Sequence, residues 1–263
     1  MLSRDATGKW IFLAALCLMV ATLGGCVSTT ERVFTEEASP KEALQKRVSL
    51  ARRYIGEGDW ERAKRNLELA KQIDPEDADV HEAFALMYQS SGELELAEEH
   101  FERAIRLDRD CSRCRNNYAA YLYSQERYRE AEEQLERVVR DSLYSGRPRA
   151  FVNLGLCRRK LSDNQGADEA FVRALSLDST NRIALLELTD LRLEAGDYRA
   201  AREYYSTYRS LVRRQSPRGL WLGIRLSRQF GDKDAEASYA LALGSLYPDS
   251  PEYKAYQRTR DSE

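Results

Sequence analysis

From Leu50 onward the chain repeats itself. Leu50-Ala51, Phe84-Ala85, Tyr118-Ala119, Leu154-Gly155, Leu188-Thr189 and Leu222-Gly223 follow one another at 34-residue intervals, apart from a 36-residue step into the fourth pair. Twelve positions after each small residue stand Ala63, Ala97, Ala131, Ala167, Ala201 and Ala235. Four further on come Leu67, Phe101, Leu135, Phe171, Tyr205 and Tyr239, and three beyond those Ala70, Ala104, Val138, Ala174, Tyr208 and Ala242. A period of this length means one supersecondary unit per repeat, with neighbours stacked to bury a continuous core. The repeats fall at about 44–77, 78–111, 112–145, 148–181, 182–215 and 216–249.

Two antiparallel helices approach closely only where both lack bulk, so Ala51 and Ala63 mark a crossing point, with Leu50, Tyr54 and Leu67 filling the space around it. Gly58-Asp59, Gly92-Glu93 and Gly196-Asp197 read as the turns between paired helices, and Asp74-Pro75 and Asp178-Ser179 as stops at the end of repeats 1 and 4. Small, small, aromatic or leucine, small is the tetratricopeptide signature. The expected fold is therefore all-α: a right-handed superhelical solenoid of about six tetratricopeptide repeats, with Glu252 to Arg260 as a C-terminal capping helix. Thr189 and Tyr208 break the pattern of repeats 5 and 6, where looser or differently angled packing is expected.

The N-terminus has another logic. Trp10 to Leu23 is apolar but shorter than the roughly 20 residues a membrane-crossing helix needs, and it follows Arg4 and Lys9, the layout of a signal peptide. Leu23-Gly24-Gly25-Cys26 resembles the lipobox of bacterial lipoproteins, which implies cleavage before Cys26 and acylation of its thiol and amino group. Two or more acyl chains, at about 0.8 kcal/mol per buried CH₂, make a stable anchor. The sorting rule that this resemblance implies, in which an acidic residue after the cysteine favours inner-membrane retention, makes Val27 an expectation of the outer membrane, periplasmic face. Residues 1–25 are thus expected as signal peptide, 26–40 as a flexible tether and 41–263 as the solenoid.

A formal charge of −2 gives no basic excess for nucleic acid. No phosphate loop, paired-histidine zinc motif or nucleophile elbow is present, and neither an enzyme, a cofactor nor a metal is expected. His81 and His100 read as exposed helix residues. Of the 5 cysteines, Cys17 would leave with the signal and Cys26 would be acylated. Among the remaining three, Cys111 and Cys114 have the C-x-x-C spacing but lie at a repeat junction, outside a strand-helix context. A local disulfide in an oxidising compartment is the expectation, leaving Cys157 as a thiol.

Function then falls to a surface. The first helices of successive repeats should line a concave groove with Val48, Arg52 and Ile55, then Glu82, Leu86 and Gln89, then Asn116, Ala120 and Tyr123, then Val152, Leu156 and Arg159, then Ile183, Leu186 and Asp190. A row of exposed apolar residues there suggests a partner site. Val48 and Arg52 occupy the positions where a chaperone-type carboxylate clamp would have Lys and Asn.

Two stretches narrow the reading. CRNNYAAYLYSQERYREAEEQLERVVRDSLYSGRPRAFVNLGLC, from Cys114 to Cys157, resembles the PilF/PilW family of type IV pilus biogenesis lipoproteins, in its N-Y, R-Y-x-E-A, D-x-L-Y and N-x-G-L-C segments. YALALGSLYPDSPEYKAY, from Tyr239 to Tyr256, resembles the family's C-terminal end. The resemblance implies a pilotin, which binds the secretin subunit of the pilus machinery and supports its outer-membrane localisation and multimer assembly. It also implies one departure: some relatives have a cysteine at the position of Tyr123, which could pair with the equivalent of Cys157. The alternative is a general periplasmic adaptor lipoprotein serving envelope protein assembly or cell-wall enzymes.

Overall fold

The structure is a computed structural model and describes residues 39–260. The leader, the lipidation expected at Cys26 and all but the last two residues of the tether lie outside the described residues. The chain divides into units Met1–Glu42 and Ala43–Glu263, and the second is built of helix pairs. Among the described residues the elements are α1 (Pro40–Glu57), α2 (Trp60–Ile73), α3 (Ala78–Ser91), α4 (Leu94–Leu107), α5 (Ser112–Ser124), α6 (Tyr128–Val138), α7 (Arg147–Lys160), α8 (Asn164–Leu177), α9 (Arg182–Glu194), α10 (Tyr198–Leu211), α11 (Pro217–Phe230), α12 (Lys233–Leu246) and α13 (Pro251–Arg260), with no strand. None of them is long and apolar enough to cross a membrane.

Six helix pairs stack as tetratricopeptide repeats, and α13 packs on α11 and α12 at the end. In repeats 1, 4 and 5 the second helix is started by an aspartate cap. Asp59, Asp163 and Asp197 accept the backbone N–H three residues on, which satisfies one of the orphan donors of α2, α8 and α10. The crossing alanines behave as close packing requires: Ala51, Ala63, Ala85, Ala97, Ala119 and Ala131 are all essentially without solvent contact. At Gly155 even a methyl group has no room, since a Cβ would lie 2.6 Å from the Phe171 ring.

The cores run across repeat boundaries. Phe84 and Met87 of repeat 2 bury with Leu67 and Ala70 of repeat 1, and Tyr118 and Leu122 of repeat 3 with Phe101 and Ala97 of repeat 2. Leu50 is the exception to its expected core role. Its equivalents in later repeats are buried, but it is 37 % exposed, because no repeat precedes it among the described residues. Repeat 5 also departs from expectation, being tightly packed at its unusual residues. Thr189 is fully buried, with its hydroxyl donating to the Leu185 carbonyl at 2.8 Å. Tyr208 is buried against Gly219, where a Cβ would meet its hydroxyl oxygen at 2.6 Å.

The loosening falls on repeat 6. The left-handed turn residue is Gly58, Gly92, Glu126, Ser162 and Gly196 in repeats 1 to 5, then Gly231, one residue later than the period requires. The helix cap moves with it, to Asp232. One residue is about 100° around a helix, so α12 buries Ala240 and Leu243 while Ala235, Tyr239 and Ala242 are only half-buried. The sequence register of repeat 6 is thereby corrected, and the displaced face leaves a cleft of about 530 Å³ bordered by Tyr205, Gly223, Ala235 and Tyr239.

The histidine expectation is overturned too. His81 is 3 % exposed and faces a half-buried His100 between α3 and α4, their Nδ1 atoms 3.1 Å apart. Both lie on the inner faces of the repeat 2 pair, with Phe84 and Tyr88 packed against the His100 ring.

Candidate functional site

Five of the residues expected to form an exposed groove wall are buried, Glu82 among them. Val48, Asn116 and Val152 are each 2 % exposed, and Leu186 is buried as well. Neighbouring first helices come close enough for these side chains to become core, Val48 beside Val80 and Met87, and Val152 beside Leu188 and Leu191. Arg52, Ile55, Leu86, Gln89, Tyr123, Leu156 and Arg159 are half-buried. Ile55, Leu86, Tyr123 and Leu156 thus have one flank on the core and one left over. Ala120 and Ile183 are exposed.

Charge fills much of the rest. Glu82 is 1 % exposed. It accepts hydrogen bonds from Arg52 at 2.6 Å, from Arg113 at 2.5 Å and from Asn117, so that three repeats meet on one carboxylate. Arg113 also pairs with Asp79, and Asn153 donates to Asn116 at 3.3 Å, continuing the polar line into repeat 4. A second centre forms farther along. Glu187, 3 % exposed, is gripped by both terminal nitrogens of Arg218, which also reaches Asp190 at 3.1 Å. Arg225 donates to Asp190 at 2.5 Å, and Arg159 to Glu194 at 2.7 and 2.9 Å. Hydrogen bonding from Arg159 holds the Glu194 carboxyl below its usual range.

Beside the second centre, Tyr123, Leu156 and Arg159 come together in a cavity of about 420 Å³ that also takes in Lys160, Glu187 and Arg218. The Tyr123 ring is fixed edge-on by Tyr128, with centroids 5.1 Å apart. An aromatic wall, an aliphatic wall and paired ions at the rim suit a peptide segment: the apolar walls accept side chains, and the forked guanidinium groups can exchange an internal carboxylate for one from a partner.

Glu187, Arg218 and Arg113 were not singled out from the sequence, yet a signal exists. Glu82 to Arg113 and Glu187 to Arg218 are both 31 residues apart, and Arg159 to Glu194 and Asp190 to Arg225 are both 35. In a 34-residue solenoid, opposite charges at such spacings face one another across a repeat boundary.

Cys111 and Cys114 are joined in a disulfide, with Cα atoms 5.3 Å apart at the start of α5. Asp79 and these two cysteines are the one group of three close ligand atoms found among the described residues, and both sulfurs are taken by the disulfide bond. Cys157 is free and buried, its thiol pushed up to about 12 by desolvation and by Glu132. It is therefore a poor nucleophile.

Tetratricopeptide repeat models match residues 78–111 and 119–182. The type IV pilus assembly protein PilF of Pseudomonas aeruginosa is 37% identical over 246 residues, 93% of this chain and 97% of that protein. A structure from the functional characterisation of Pseudomonas aeruginosa PilF superposes with a TM-score of 0.79 at 38% identity, covering 84% of this chain and 99% of that one. PilW, described as a widely conserved type IV pilus biogenesis factor, shares the fold with a TM-score of 0.72 at 24% identity, over 82% of this chain and 99% of its own. A tetratricopeptide solenoid alone is common to many proteins, but identity at this level along nearly the whole length of both chains is not, and the chain belongs to the family of the type IV pilus assembly protein PilF.

Proposed function

We propose that this protein acts in type IV pilus biogenesis as a non-enzymatic pilotin. It is anchored in the outer membrane through acyl chains on Cys26, and its groove binds the secretin subunit and promotes secretin localisation and multimer assembly. The observation that carries the reading is the 37% identity to PilF over 93% of the chain. The groove supports it. Half-buried Leu86, Tyr123 and Leu156 offer apolar contact area on rigid helices, and the arginine–carboxylate pairs around them give a partner's charged residues something to read.

Two measurements test this. The mature protein, used as bait against solubilised envelope proteins, should retain the secretin. In addition, Cys26→Ala should abolish incorporation of labelled fatty acid and shift the protein out of the outer-membrane fraction. Outer-membrane recovery of Cys26→Ala at the original level would remove the anchor from the proposal, and retention of other envelope proteins with no secretin would favour a general adaptor.

A further inference from the structure

The arginines that bridge repeats are matched with carboxylates: Arg52 and Arg113 with Glu82, Arg158 with Glu132, Arg159 with Glu194, Arg218 with Glu187. One cluster lacks such partners. Arg109, Arg115, Arg137 and Arg140 line a single cleft of about 580 Å³ where repeats 2 and 3 join, with Asp110, Ser112 and Asp141.

Arg115 is 6 % exposed, yet its guanidinium meets only neutral oxygens. Nε and Nη2 donate to the Arg109 carbonyl at 3.1 and 2.8 Å, and Nη1 donates to Gln134 Oε1 at 2.7 Å. A charge so far removed from water is ordinarily neutralised by a partner. Arg109, Arg137 and Arg140 are exposed, and their side chains make no ion pair or hydrogen bond among the described residues. Asp141 is not ion-paired with any of them: its carboxylate accepts from the Ser112 hydroxyl at 2.6 Å and from the Leu143 N–H at 3.0 Å.

The local sequence explains the arrangement. In Arg109-Asp-Cys-Ser-Arg-Cys-Arg115 the Cys111–Cys114 disulfide closes the loop at the head of α5. Arg113 and Arg115, two residues apart, then take opposite duties: Arg113 goes to Glu82 and Asp79 in the groove, and Arg115 to the cleft. The end of α6 and the turn after it add Arg137 and Arg140.

Four guanidinium groups against two carboxylates leave an excess of two positive charges. A phosphoryl group carries about −1.5 to −2 with three acceptor oxygens, matching both that excess and the forked donors of arginine. A carboxylate would leave one positive charge over. We propose that this cleft binds a phosphoryl oxyanion, the group shared by free phosphate and by a phosphorylated glycerol headgroup.

The test is calorimetric titration of the full chain, in a phosphate-free buffer at fixed ionic strength, with inorganic phosphate, glycerol 3-phosphate and acetate. Saturable binding is expected for at least one phosphoryl compound, at least tenfold tighter than for acetate. Arg137→Gln/Arg140→Gln changes only exposed side chains and should keep its melting temperature while binding at least tenfold more weakly. Equal affinity for the two phosphoryl compounds assigns the site to bare phosphate, and a clear preference for the ester assigns it to a headgroup. Absence of saturable binding, parity with acetate, or unchanged affinity in the double variant would overturn the proposal. None of these outcomes bears on secretin binding in the groove.

Discussion

In repeat 2 the left-handed turn residue is Gly92, and the alanine five residues on, Ala97, is sealed between α3 and α4. In repeat 6 the turn is at Gly231, one residue late, and Ala235 borders an open cleft. Both repeats spell the same small and aromatic positions. The difference shows that turn register outranks residue type: a one-residue shift rotates the whole second helix, and the alanine that the pattern marks as core ends up at a rim.

The sharpest way to break this comparison is to put the same large side chain at both sites. Ala97→Trp should destabilise the solenoid by about 3 kcal/mol, the upper end of the usual overpacking range, and lower the melting temperature by several degrees. Ala235→Trp should move it by less than about 1 kcal/mol, because the indole can lie in the cleft. Equal losses in thermal melts would mean that repeat 6 keeps the register of the others.

Repeat 2 also holds a buried carboxylate that repeat 6 lacks. Glu82→Ala should cost about 2 kcal/mol in chemical denaturation. That is less than the 3 to 5 typical when a buried charge is orphaned, since Arg52 and Arg113 keep 32% side-chain exposure and regain water. Adding Arg113→Ala to that background should cost less than Arg113→Ala alone. Strict additivity would mean that the three-repeat junction contributes nothing as a unit.

A smaller and more local effect follows from the histidines. With both rings neutral, His81 Nε2 donates to the Pro75 carbonyl at 3.0 Å, and its Nδ1 accepts from His100 Nδ1. A proton added at His81 Nδ1 would set two N–H groups against each other. Burial, reinforced by His81, Lys71 and Arg103, lowers His100 to about 4, and burial lowers His81 as well. The folded state thus binds fewer protons than the unfolded chain. The stabilisation is complete above the ordinary histidine value near 6.5 and is lost as pH falls from there towards about 4. Between pH 7 and 5, hydrogen-exchange protection factors should fall in α3 and α4 and hold in α12. A uniform fall along the solenoid would assign the acid sensitivity elsewhere.

The sequence disclosed the repeats because their crossing points demand small residues at fixed intervals, and any bulk there is penalised at once. It did not disclose the slip at Gly231, because a glycine satisfies a turn equally well one position earlier or later. In the groove, Tyr123, Leu156 and Arg159 were legible from helix phase, whereas Val48 and Val152 were misread as exposed. Phase gives the direction of a side chain but not how closely the next helix approaches. Glu187 and Arg218 escaped because charged residues are abundant in helices, and only their 31-residue spacing separates them from solvated ones.

The least disruptive change bears on the central claim, that the groove receives a pilus-machinery partner. Leu86→Glu with Tyr123→Ser alters two half-buried side chains and should leave helicity unchanged and stability within about 1 kcal/mol. Central apolar and aromatic anchors commonly contribute 2 kcal/mol or more to an interface, so secretin binding should weaken by at least thirtyfold. The direct measurement is the amount of secretin multimer in the outer membrane of cells whose only copy is this double variant, with its protein level checked by blot. The account predicts strongly reduced multimer at normal variant level, and multimer at the original level with a folded variant would contradict it.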